Sequence, residues 1–254
     1  PPPGPRSRAL AERLRSVESR NVTYLSEDFP VFWEEARGAN VRDVDGNVYI
    51  DFTGAFGVSF AGHGHPRIQQ TLEEQSQRLI HGMGDVHPPA LKLLLLERLS
   101  TLAPWEETRS VLSSSGSEAV ETALKTSELS TGRSGIIAFE GAYHGLTLGS
   151  LAVTARPDFR DPFRARLHQG VSFAPYPETD EEAAVALTEV QRLLSEGGVG
   201  AVVVEPVQGR AGVRIPPPGF LGRLAELTRA EGSLLIFDEI FTGLGRTGVV
   251  FEHE

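Results

Sequence analysis

From about residue 109 onward the chain alternates short apolar runs with helical patterns, and this rhythm restricts the fold more than any other feature. The runs are RSVLSS (109–114), GIIAF (135–139), VSFAP (171–175), GAVVVEP (200–206) and SLLIFDE (233–239). Helical patterns over 117–129, 180–195 and 219–231 lie among them. A continuous apolar strand has both faces covered, and helices between such strands predict an α/β fold with a parallel sheet. Sheets of this kind hold ligands beyond the carboxyl ends of their strands. The residues to inspect are therefore 113–117, 140–145, 205–210 and 238–248.

In SSSGSEAVETALK (113–125) small residues precede a helix with Glu118 and Glu121 in its first turns. The N–H groups of Ser115, Gly116 and Ser117 would stand at the positive end of the helix dipole, which suits an anion. The same residues make an ordinary serine cap, and the stretch alone leaves both readings open. GAYHG (141–145) sets Tyr143 and His144 on a glycine-flanked turn, where they can contact a planar ring or simply pack. Glu205 ends an apolar strand, where a carboxylate needs a partner unless it reaches water at the strand tip. In LLIFDEIFTGLGRTG (234–248) Asp238 ends the strand, and Glu239 points to the opposite side. A carboxylate at the ligand edge stabilises a cation, and a protonated heterocyclic nitrogen suits it.

Several functions are disfavoured. The glycines of 243–248 match G-x-G-x-x-G, but five residues separate them from the strand and VVF follows, which favours a strand over the required helix. His63 and His65 lack a third ligand nearby, so no metal site is expected. A formal charge of −10 argues against a nucleic-acid surface. The absence of cysteine excludes disulfides and thiolate chemistry. With no long apolar run and no signal peptide, a cytoplasmic enzyme without membrane contact is expected.

Toward the N-terminus, PPPGPRSR (1–8) reads as an irregular arm and 9–20 as a short helix. VRDVDGNVYIDF (41–52) predicts a hairpin turning at Asp45-Gly46. A glycine-rich loop over 54–66 follows, then helices over 66–80 and 88–102, each entered at proline.

The strand ends taken together resemble those of the class III (omega-) aminotransferases, pyridoxal-phosphate enzymes of fold type I. The matching pieces, in family order, are DVDGNVYIDF, GHGHP, SGSEAVETALK, GAYHG, EPVQG and DEIFTGLGRTG. They span nearly the whole chain. The resemblance implies that 1–62 belong to the small domain and a homodimer interface, with 63–254 an incomplete cofactor-binding large domain. It implies that Gly116 and Ser117, with Ser115, hold the cofactor phosphate. Tyr143 and Ile240 would lie on opposite faces of the pyridine ring, Asp238 would pair with its nitrogen, and His144 would orient Asp238. Phe56, Glu205 and Arg210 are the candidate substrate residues. The implied reaction moves an amino group from an amine or amino acid to a 2-oxo acid.

Three positions depart from the best-known pattern of the family. Leu146 stands where several members carry an arginine or another side chain tuned to the substrate's acid, Arg210 where many carry a glutamate, and Phe241 where many carry a glutamine. The family's cofactor-linking lysine lies beyond the RTG motif, and the chain contains only Lys92 and Lys125. Lys125 suits a surface ion pair with Glu121, and Lys92 would extend from its Leu-rich helix to water. The chain is therefore expected to be a fragment that ends before that lysine and is inactive by itself. Two alternatives accompany the aminotransferase reading. One is an aminomutase, epimerase or decarboxylase of the same fold; the other is a non-catalytic dimerisation or ligand-binding protein.

Overall fold

Asp45, in the turn of an N-terminal hairpin, decides where the first helix starts. Its carboxylate accepts the N–H groups of Arg6 and Ser7, each at 2.8 Å, at the start of α1 (Pro5–Val17). The irregular arm expected over 1–8 thus gives way to helix from Pro5. Proline fits the first helical position because its missing N–H would have no partner there, and Asp45 provides a cap that the local sequence lacks. The computed structural model describes residues 1–20, 22–84 and 86–252. They fall into two units, Pro1–Leu93 and Leu94–Glu254.

The first unit carries an antiparallel sheet of β1 (Trp33–Arg37), β2 (Asn40–Asp43) and β3 (Val48–Ile50), in that order. The expected hairpin is β2–β3, and Asp43 holds its turn. One of its oxygens accepts the N–H groups of Asp45 and Asn47, and the other accepts the Asn47 amide and the Tyr49 hydroxyl, at 2.8–3.0 Å. Strand β1 has no counterpart in the sequence reading, because WEEAR offers no apolar alternation. Helix α2 (Pro66–Ser76) stops short of residue 80, and α3 (Ala90–Leu102) runs across the division between units. His63 pairs with Asp51 at 2.8 Å, and no cluster of three metal-ligating side chains occurs among the described residues.

The second unit runs α4 (Gly116–Thr131), β4 (Gly135–Phe139), α5 (Leu148–Val153), α6 (Pro157–Arg160), β5 (Val171–Ala174), α7 (Asp180–Ser195), β6 (Val199–Val204), α8 (Phe220–Ala230) and β7 (Leu234–Phe237). The four strands are parallel, in the order β5-β4-β6-β7. Side-chain alternation splits the core. Ile137 and Phe139 pack with Leu187 and Val190 of α7 and with Phe220 and Leu224 of α8. Ala138 and Val203 pack on the other face with Val120 and Leu124 of α4 and Val153 of α5. The predicted parallel sheet with helices on both faces is therefore present.

Two expected strands are absent. RSVLSS and VVF pair with no other strand among the described residues, and Val111 is 74% exposed. An apolar run becomes a strand only when a neighbour completes its hydrogen-bond ladder. No helix among the described residues is long and apolar enough to cross a membrane.

The topology also marks where a ligand can lie. Strand β4 leaves through α5, on the α4 face, toward β5, whereas β6 leaves through α8, on the opposite face, toward β7. Adjacent strands whose connections diverge open a crevice at their carboxyl ends. That crevice lies between β4 and β6.

Candidate active site

Tyr143 and His144 follow β4, and Glu205 follows β6, so the crevice brings them together. The N–H of Tyr143 donates to Glu205 Oε1 at 2.9 Å. Asp238, just beyond β7, anchors its own N–H on Val204 O at 2.8 Å. Its Oδ2 lies 2.7 Å from His144 Nδ1, with both residues buried. When the carboxylate is ionised it only accepts, and Nδ1 is then the donor of this bond. Nε2 of the same ring is buried without a partner. His144 is fixed from behind as well: its N–H donates to Thr154 Oγ1 at 2.9 Å, and that hydroxyl lies 3.0 Å from the carbonyls of Gly145 and Ser150.

Glu205 is 7% exposed, and its carboxyl is pushed up to about 7. Burial is the main cause and nearby Asp238 adds to it, while His144 and the N–H groups of Tyr143 and Gly209 pull the other way.

At the start of α4, Ser115 caps the helix by accepting Glu118 N–H at 3.3 Å. The N–H groups of Gly116 and Ser117 donate to nothing among the described residues. The Ser117 hydroxyl accepts Leu146 N–H at 3.1 Å, which ties this turn to the one after β4. Gly145 permits that approach, since a Cβ there would fall 2.1 Å from Ser117 Oγ. Ile240 joins the two halves. Its N–H donates to Asp238 Oδ1 at 3.1 Å, and its side chain lies over Gly116, where a Cβ would meet Cδ1 at 2.8 Å. Unclaimed N–H donors at a helix terminus and a buried carboxylate thus lie on either side of one residue. This donor set fits a molecule with a phosphate at one end and a protonated ring nitrogen at the other, as pyridoxal phosphate has.

The sequence of these strand ends matches the family model for class-III aminotransferases over residues 23–254. The chain belongs to that family. It is 40% identical over 228 residues to the acetylornithine aminotransferase of Methanopyrus kandleri, covering 89% of this chain and 56% of that protein. It is 34% identical over 271 residues to the alanine/serine racemase of Pyrococcus horikoshii, covering 100% of this chain and 57% of the other. The chain spans little more than half the length of these curated relatives. Among solved structures, an omega-transaminase from Thermomicrobium roseum superposes with a TM-score of 0.85 at 27% identity, covering 95% of this chain and 59% of that one. An amine transaminase from an uncultivated Pseudomonas, solved in its PLP-bound form, gives a TM-score of 0.85 at 25% identity, covering 93% and 58%.

Within this class-III aminotransferase unit, Ser115, Gly116, Ser117, Tyr143, His144, Glu205, Asp238 and Ile240 form one connected cluster. Arg210 joins it through Tyr143, its guanidinium carbon 4.2 Å from the ring centroid. Phe56 lies in the other unit, 87% exposed on a left-handed backbone at φ 56°. The expected Glu121–Lys125 ion pair does not form. Glu121 Oε1 instead accepts the Thr147 hydroxyl and Gly149 N–H, each at 2.7 Å, and Lys125 is exposed. Neutral donors at the start of α5 hold that carboxylate in place of a mobile ammonium. Sequence reasoning assigned nothing to Thr154, Tyr176 or Gln208. Tyr176 donates to the carbonyl of Glu205 at 3.1 Å, and Gln208 is fully buried with its amide on Glu140 O at 2.9 Å. Gln208 stands inside the EPVQG motif, a signal available to be read, whereas a lone threonine or tyrosine far along the chain gives none.

Proposed function

We propose that the protein carrying this chain transfers an amino group from an amine or amino acid to a 2-oxo acid, with pyridoxal phosphate as cofactor. The buried His144–Asp238 pair, joined through Ile240 to the donors of α4, is the observation that carries this reading. Gly116 and Ser117, with Ser115, would hold the phosphate. Asp238 would pair with the ring nitrogen and favour its protonated form, with His144 holding that carboxylate. Tyr143 and Ile240 would contact the ring. When bound, the cofactor supplies an electron sink for the substrate carbon that loses its proton. Glu205, Arg210 and Phe56 serve the substrate side. Residues 1–62 belong to the small domain and to the interface of a cytoplasmic homodimer, and 63–254 to the large domain.

The test is a single-turnover assay on the full-length protein. A cofactor absorption band should bleach with an amino donor alone and return with a 2-oxo acid. A protein with no such band, or a band that no donor alters, overturns the proposal. The racemase relative favours a second reading, inversion of an amino acid at the same cofactor. Inversion consumes no stoichiometric oxo acid, so acceptor dependence separates the two.

A further inference from the structure

Two arginines occupy the excursion that follows β6, and their surroundings differ. The base of the excursion is closed by backbone bonds between Gln208 and Arg214, at 3.0 and 3.1 Å. Arg214 is fully engaged. Its Nε donates to Glu178 at 2.7 Å, and its terminal nitrogens donate to Tyr176 O at 2.7 Å and Gln208 Oε1 at 3.4 Å. Its guanidinium also lies 5.3 Å from the Tyr176 ring centroid. Arg210, nearer the tip, rests on the Tyr143 ring and makes no ion pair or hydrogen bond among the described residues. The other guanidinium near this ring, Arg156, is held by both oxygens of Asp158 at 3.0 and 2.7 Å. Among the described residues, Arg210 is therefore a cation beside the cluster with no anion of its own.

A cation on an exposed aromatic face is weakly held, whereas the planar guanidinium fork matches a carboxylate with two charge-assisted bonds. The cluster below presents buried acids, Glu205 and Asp238, which would repel an incoming carboxylate unless a cation meets it. Leu146 adds no second cation.

We infer that Arg210 is the carboxylate receptor of this site, leaving Tyr143 to take the acid group of the 2-oxo acid. The inference names the substrate recognition of the aminotransferase reading and rests on it.

The test compares wild-type, Arg210→Ala and Arg210→Lys full-length protein on pyruvate and on its methyl ester, which lacks the charge. The ratio of kcat/KM for pyruvate over the ester should fall by about 10-fold to 100-fold in the alanine variant, the loss of a charge-assisted contact. The lysine variant should recover part of it. Equal losses on both acceptors, or none, overturn the inference. A calorimetric titration with propionate, an acid that cannot react, tests Arg210 independently of turnover. Its Kd should rise about 10-fold in Arg210→Ala, and an unchanged Kd overturns the inference. The cofactor absorption band separates the failures: its absence from wild type sinks the aminotransferase reading, while propionate binding still decides Arg210.

Discussion

Replacing Glu205 by Gln probes a strongly perturbed acid in the site. The carboxyl, ordinarily near 4.5, is pushed up to about 7 by burial at the end of β6. Its ionisation in the folded protein therefore costs on the order of 3 kcal/mol relative to the unfolded chain. The sign follows from proton binding. Below about 4.5 the group is protonated in both states and costs nothing; between about 4.5 and 7 the folded state holds the proton that the unfolded state releases; above about 7 the full cost is present. Stability from this group is thus lost as pH rises through that window. Gln retains an oxygen for Tyr143 N–H and carries no charge to desolvate. In urea unfolding of the cofactor-free full-length protein, Glu205→Gln should be more stable than wild type at pH 8, by up to about 3 kcal/mol. At pH 5 the advantage should shrink to about 1 kcal/mol or less. His144 and Asp238 remain in both proteins, so the pH dependence of the difference isolates Glu205. An offset equal at both pH values would be a packing effect and would refute the assigned ionisation.

Asp238→Asn removes the charge proposed to hold the ring nitrogen protonated. The half-reaction should slow at least about 100-fold, roughly 2.7 kcal/mol, and a stopped-flow rate within about threefold of wild type would falsify that role. Gly116→Ala places a Cβ 2.8 Å from Ile240 Cδ1 at a helical position that otherwise favours alanine. The protein should keep its stability but bind pyridoxal phosphate at least about 10-fold more weakly, with recovery in Gly116→Ala/Ile240→Ala; an unchanged cofactor Kd in the single variant refutes the cradle. Sedimentation of the full-length protein should give a homodimer, and Phe56→Ala should alter the KM for bulky amines. A fully active monomer would contradict both the interface assigned to 1–62 and the place of Phe56 in the substrate pocket.

The parallel sheet was legible because β6 is buried at all six positions and its sequence contains nothing polar. The place of Asp238 at the sheet edge was legible for a related reason: it directly follows the apolar run that forms β7. The errors share one physical origin, which is that local sequence does not name a distant partner. The start of α1 depends on Asp45 across a long separation, and Glu121 chooses the donors of α5 over the lysine one turn away. RSVLSS has strand composition and no strand to pair with among the described residues. Arg210 was ambiguous for the same reason. Arginine after a glycine suits a solvated loop or a pocket equally, and the sequence does not show the Tyr143 ring on which the guanidinium rests.

The same geometry separates two kinds of residue. His144, Asp238 and Glu205 are 2%, 8% and 7% exposed, and each is braced by main chain or by another buried group. Leu146 and Phe241 are 50% and 48% exposed, and Arg210 lies outside the core on a ring face. Truncating a side chain in the first set leaves a buried polar group unpaired, which costs about 1–3 kcal/mol before any chemistry is considered, whereas Glu205→Gln keeps the acceptor for Tyr143 N–H and avoids that cost. A substitution in the second set costs little stability. The three positions where the chain departs from the best-known family pattern all fall in the second set. Proteins built this way can exchange substrates while keeping one cofactor site. Relatives of similar identity accordingly carry names as different as acetylornithine aminotransferase, adenosylmethionine-8-amino-7-oxononanoate aminotransferase and alanine/serine racemase. Identity along the whole chain therefore does not choose this protein's substrate. We propose that the side chains at 146 and 210 do, and of these Arg210 alone carries a charge.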